Sequence, residues 1–216
     1  MVARPAAGGG RRVEVGPERL VRWINGFTGR HGEARVTLAD GLLVLTAADG
    51  AVAELAPPPG ALPDAPAPLL EDVERFVAAA SAPRRLGLLL VRRGGIAVGV
   101  AAGGELTASK VDSAYVQSRT AAGGWSQQRY ARRRANQAKA LAGGAADVAA
   151  RLLAGETLDA VVTGGDRGLV EAVLADPRLA KLPQPARHLD VPDPRLAVLR
   201  AAVPAARAVW IVVRDP

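Results

Sequence analysis

Residues Gly123 to Gln137 read GGWSQQRYARRRANQ, two glycines and a pair of glutamines that lead straight into an arginine-studded segment with helical spacing. From Arg119 to Lys139 the chain carries Arg119, Arg129, Arg132, Arg133, Arg134 and Lys139 and no acidic residue, six of the charges behind a net +7 over 216 residues. A basic excess confined to one segment is a footprint for a polyanion rather than general solubility tuning.

Ser126 suits the N-cap of the segment that follows, because its hydroxyl can accept a backbone N–H of the first turn. Gln127 and Gln128 then take the first two helical positions. Ala131, Ala135, Ala138, Ala142, Ala145, Ala149 and Leu152 repeat at spacings of three and four, a seam of small residues that lets the helix lie close against a sheet. Gly143-Gly144 costs about 1 kcal/mol per glycine in a helix interior, so a kink or break is expected there. The other face holds Arg129, Arg132, Arg133, Asn136, Gln137 and Lys139, and acidic partners three or four residues away are absent. A solvated face is the ordinary explanation of a charge run, but these arginines repel one another unless an anion sits on them. RNA fits better than a membrane surface, since alanines and not bulky apolar residues lie opposite the charge.

Working outward, the fold becomes legible. Upstream, Leu86–Val91, Ile96–Ala101 and Glu105–Val111 read as strands, the first two joined by an Arg92-Arg93-Gly94-Gly95 turn. That turn could touch RNA, but an exposed hairpin end explains it as well. Downstream, a strand over 160–163, a helix over 166–175, a strand over 186–189, a helix over 195–202 and a closing strand over 208–213 alternate. The class is α/β (α+β), a mixed β-sheet flanked by helices. Further back, a glycine-rich leader of ten or so residues precedes an amphipathic helix over 17–28, and Asp40-Gly41 and Asp49-Gly50 part three short strands over 34–38, 42–46 and 51–55. Asp-Gly is a strong hairpin signal, so an antiparallel meander is expected. Six prolines between Pro57 and Pro68 mark a linker, with a helix over 69–80 beyond it. The expected domains are 1–65, a helix and meander lobe with the proline-rich linker, and 66–216.

Composition removes several chemistries. There is no cysteine, which excludes disulfides, thiolate zinc sites and cysteine nucleophiles. His31 and His188 are the only histidines and read as ordinary loop or strand-end residues, so neither a metal nor a cofactor is expected. Asp112, Asp147, Asp159 and Asp166 could in principle build a metal-dependent nuclease site, yet nothing in their spacing shows convergence. No apolar run is long enough to span a bilayer, and the amino terminus lacks an apolar signal core; a soluble, cytoplasmic, monomeric protein is expected.

Within the loop, Gly123-Gly124 permits close approach of another molecule to the main chain. A glutamine cannot act as a general base near neutral pH, so the role open to Gln127 or Gln128 is to orient a water while backbone N–H groups stabilise an oxyanion. Gly123-Gly124 followed by Arg129-Tyr130-Ala131-Arg132 resembles the catalytic domain of eukaryotic and archaeal peptide-chain release factors, where a Gly-Gly-Gln loop precedes an Arg-aromatic-Ala-Arg segment. Val161-Val162-Thr163-Gly164-Gly165 looks like that domain's strand and glycine turn, and Asp176-Pro177-Arg178-Leu179 matches its Asp-Pro-Arg-Leu stretch; the resemblance covers roughly 86–213. The departure is Trp125, which stands where the release-factor glutamine would be. A displaced loop of this kind is similar to the Vms-type release-factor-like proteins of ribosome quality control, most of all their bacterial, actinobacterial-type branch, without the ankyrin repeats, zinc finger and partner-binding tail of the eukaryotic members.

The resemblance implies an RNase H-like catalytic-domain topology and a peptidyl-tRNA hydrolase that enters the peptidyl-transferase centre of a large ribosomal subunit. Gly123, Gly124 and Gln127 or Gln128 would then be catalytic, Gln127 the first choice. Arg119, Trp125, Arg129, Arg132, Arg133, Arg134 and Lys139 would hold ribosomal RNA or tRNA, with Trp125 stacking on a base or packing the loop root. The competing readings are a non-catalytic ribosome- or tRNA-binding factor and a nuclease acting on the tRNA acceptor end.

Overall fold

The computed structural model describes residues 4–6, 9–61, 73–113 and 127–216, without the side chains of 127–135. Two compact units emerge, one made of residues 1–83 with 204–216 and the other of 84–203.

The strands of the first unit are β1 (Arg4–Pro5), β2 (Arg11–Val15), β3 (Ala34–Ala39), β4 (Leu42–Ala47), β5 (Val52–Ala56) and β11 (Val209–Arg214). They form a six-stranded antiparallel sheet in the order β1-β2-β11-β5-β4-β3. The expected meander is present, and Asp40 and Gly41 both take positive φ, 51° and 75°, between paired Ala39 and Leu42. That is the mirror-image turn which matches the twist of a two-residue hairpin. Helices α1 (Leu20–His31) and α2 (Val73–Ser81) bury Leu20, Ile24, Phe27, Phe76 and Ala80 against Leu43, Leu45, Ala53, Leu55 and the inward residues of β11.

Three features differ from the sequence expectation, the first being α2, expected beyond the linker in the second domain but packed in the first unit. The leader contains β2, hidden because Arg11 and Arg12 occupy the outer part of a strand whose buried residues are only Val13 and Val15. The closing strand, expected in the second domain, pairs antiparallel with β2 and β5 in the first, Ile211 opposite Val13 on one side and Leu55 on the other. Alternation at Val209, Ile211 and Val213 reveals a half-buried strand but not which sheet receives it.

In the second unit β6 (Arg85–Arg92), β7 (Gly95–Ala102) and β8 (Glu105–Asp112) form an antiparallel meander, while β9 (Ala160–Gly165) and β10 (Pro185–Leu189) add in parallel on the other side of β6. The result is the mixed sheet, in the order β10-β9-β6-β7-β8. Three antiparallel strands followed by two parallel ones, with the first in the centre, is the RNase H-like order. Helix α3 (Gln127–Leu153) and helix α4 (Arg167–Leu174) cover the face that carries Leu89, Val91, Val98 and Val100. Helix α5 (Leu196–Arg207) contains the boundary between the two units.

No break into two helices occurs at Gly143-Gly144; α3 is one helix of 27 residues. Ala142, Ala145, Ala146, Val148, Ala149 and Leu153 are buried around the two glycines, and that packing offsets the roughly 1 kcal/mol each glycine costs. The alanine seam is therefore real from Ala138 onward, although Leu153 and not Leu152 ends it in the core.

Candidate functional site

The two glutamines head the helix: α3 begins at Gln127, with Gln128 next. Arg119, Gly123, Gly124, Trp125 and Ser126, the expected cap, lie outside the described residues. The first N–H groups of any α-helix have no intrahelical acceptor, so the glutamines sit where backbone donors are free to meet an anion or a developing oxyanion.

Arg129, Arg132, Arg133 and Arg134 occupy the first two turns of α3, where there is no acidic residue. This inverts the usual arrangement, since cations at the positive end of a helix dipole lose stability that acids there would gain. An external anion would remove that conflict. Lys139 is exposed farther along, and it lines an open groove of about 640 Å³ with Arg93, Ala142, Gly143, Gly168 and Asp176 among others.

The Asp-Pro-Arg-Leu stretch fixes the middle of α3. Asp176 accepts the backbone N–H of Arg178 at 2.9 Å and opens a 3-10 turn over Pro177–Leu179, whose Leu179 is buried. The Arg178 guanidinium then donates to Asp176 at 2.8 Å and to Asp147 of α3 at 2.8 Å. Hydrogen bonds from the Arg178 side chain and backbone hold the Asp176 carboxyl down at about 2, from 3.8. A carboxyl that titrates lower when folded stabilises the fold fully above about pH 4, and that contribution fades as the pH falls through about 2. Asp176→Asn is therefore expected to lower the unfolding midpoint at pH 7 and to change it little at pH 2; equal losses at both pH values would remove the ion pair as the cause.

At the ends of the parallel strands the histidine proves more occupied than expected. His188 Nε2 lies 3.2 Å from the Gly165 carbonyl, which only accepts, so Nε2–H donates there. Nδ1 lies 3.0 Å from the buried Thr163 hydroxyl, which is also within 3.4 Å of the Arg187 carbonyl. The ring thus ties β10 to the end of β9, a cross-link that a lone histidine in a sequence does not announce. His31 pairs with Asp49 at 2.8 Å in the first unit and packs against the Phe27 ring.

The four aspartates of the nuclease reading are held apart by separate tasks. Asp147 binds Arg178, Asp159 accepts the Arg85 backbone N–H at 2.7 Å, Asp166 caps α4 through Leu169 at 3.1 Å, and Asp112 is exposed at the end of β8. Among the described residues no three His, Cys, Asp or Glu side chains could hold a metal ion together.

A mixed sheet of this order, with a long helix that starts in a glutamine pair and carries four arginines in its first turns, agrees with the release-factor resemblance read from the sequence. Residues 84–212 match the family model for the Actinobacteria/chloroflexi VLRF1 release factor, and the chain belongs to that family. The match covers nearly the same span as the resemblance read from the sequence. No curated protein matches the sequence. Membership gives the chain a release-factor-like role in translation. Among the described residues, no helix is long and apolar enough to cross a membrane.

Proposed function

We propose that the protein is a Vms-type peptidyl-tRNA hydrolase of ribosome quality control, acting in the cytoplasm as a monomer that binds stalled large ribosomal subunits. The observation that carries this reading is the position of Gln127 and Gln128 at the head of α3, set off from Gly123-Gly124 by Trp125 and Ser126, in a chain of a release-factor family. The substrate is an ester, reactive enough that a positioned water and oxyanion donors suffice without a covalent nucleophile. Water attacks the ester carbonyl, the bond to the tRNA oxygen breaks, and the water's proton ends on the tRNA hydroxyl. The glutamine amide orients that water and neither takes nor keeps the proton. Arg119, Arg129, Arg132, Arg133, Arg134 and Lys139 hold RNA phosphates, and Trp125 stacks on a base.

The test is a large subunit carrying peptidyl-tRNA, incubated with the native protein. The expected products are free peptide and full-length tRNA. A protein that binds but frees no peptide is a non-catalytic binding factor, and a shortened tRNA marks cleavage of the acceptor end.

A further inference from the structure

We propose that the groove between α3, α4 and the β6–β7 turn holds a phosphodiester strand of RNA. This rests on the translation-directed reading above and extends the RNA contact of Lys139 beyond α3 to Arg93 and the walls of the groove.

The groove lies where the sheet reverses. After β6 the chain builds outward through β7 and β8, then returns to place β9 on the other side of β6. In α/β sheets ligands gather beyond the carboxyl ends of the strands at such a reversal. Arg93 follows the end of β6 and Asp166 follows the end of β9, and both line the groove.

Its open charge is positive. Arg93 and Lys139 are exposed, and neither forms an ion pair or hydrogen bond with a described residue. Of the two acids in the lining, Asp176 is paired with the guanidinium of Arg178, while Asp166 accepts only the neutral Leu169 N–H. Arg93 and Lys139 therefore outnumber Asp166, the one lining acid without a cationic partner among the described residues. Continuity then selects the ligand. Arg132, Asn136, Lys139 and Gly143 follow one another at spacings of four, three and four along α3, one stripe of the helix from its basic start to the groove. A line of that length suits an extended polyanion better than a single acidic side chain. The walls leave room for a backbone, for a Cβ placed on Gly143 meets nothing within 4 Å.

Two measurements test this. Binding of a labelled deacylated tRNA is followed by anisotropy over a salt series for the native protein and for Arg93→Ala/Lys139→Ala. Each neutralised phosphate adds ~0.7 to ~0.9 to the slope of log affinity against log salt, so the double variant is expected to lose about 1.5 of slope. Because the chain has no cysteine, Gly143→Cys gives a unique handle for a photo-crosslinker, and its expected target on large subunits is RNA. An unchanged slope, or crosslinks to ribosomal protein alone, overturns the groove. Peptide release by a native protein whose double variant keeps the native slope sinks the groove and spares the hydrolase; tRNA binding through the groove without release does the reverse.

Discussion

Gln127→Ala combined with Gln128→Ala is expected to lower peptide release by about two to three orders of magnitude, the usual effect of losing one preorganised hydrogen-bonding group at a reacting centre. Ribosome binding should change little, because the cations that would hold RNA are untouched, so the loss falls on the turnover rate and not on the concentration needed for half-saturation. The single substitutions separate the pair. Adjacent helical residues point ~100° apart, and one amide at a time can face an ester held in front of the helix. Gln127→Ala is expected to account for most of the double variant's loss, with Gln128→Ala close to native. Release at the native rate by the double variant would take both glutamines out of the mechanism. A sharp loss of binding instead would recast them as RNA contacts.

How far this arrangement is legible in the sequence depends on the kind of signal. The centre of the second unit's sheet is written in continuous apolar runs: β6 and β7 are buried along almost their whole length, so Leu86 to Val91 and Ile96 to Ala101 announce themselves by composition. The Arg93-Gly94 turn adds little to that signal, since the pairing of Arg92 with Gly95 follows from the strands on either side.

What stays hidden depends on distance along the chain. β11 is a clear apolar strand, but its partners β2 and β5 lie near the start of the chain, and periodicity carries no address for a long-range pairing. The glycine pair of α3 misleads for a related reason: helix propensity is local, while the burial of Ala142, Ala145 and Ala149 that overrides it is tertiary. Of the site, the basic run and the glutamine pair are plain in the sequence. The pairing of Asp176 with Arg178, which leaves Arg93 and Lys139 in excess over Asp166 in the groove, exists only once α3, α4 and the 3-10 turn are assembled.

Gly165→Ala is expected to destabilise the second unit by about 3 kcal/mol, near the upper end of what single substitutions cost. Gly165 ends β9 with φ at +95°, a conformation that side chains rarely adopt and that costs of order 1–3 kcal/mol when forced. Space compounds the conformational cost, since a Cβ there would overlap the Val91 carbonyl oxygen and press on the Arg92 side chain. That carbonyl cannot retreat freely, because it accepts the Asp166 N–H at 2.8 Å and so joins the end of β6 to the cap of α4. The substitution thus strains the place where the sheet reverses and the groove begins. Gly144→Ala is the matched control: it lies within α3, a Cβ there meets nothing within 4 Å, and replacing a helical glycine by alanine is expected to add up to about 1 kcal/mol. Denaturant unfolding of both variants reads the difference directly. A loss under about 1 kcal/mol for Gly165→Ala would mean that the β9–α4 turn relaxes around the methyl group, and the turn would then lose its role as the fixed point between strand, helix and groove.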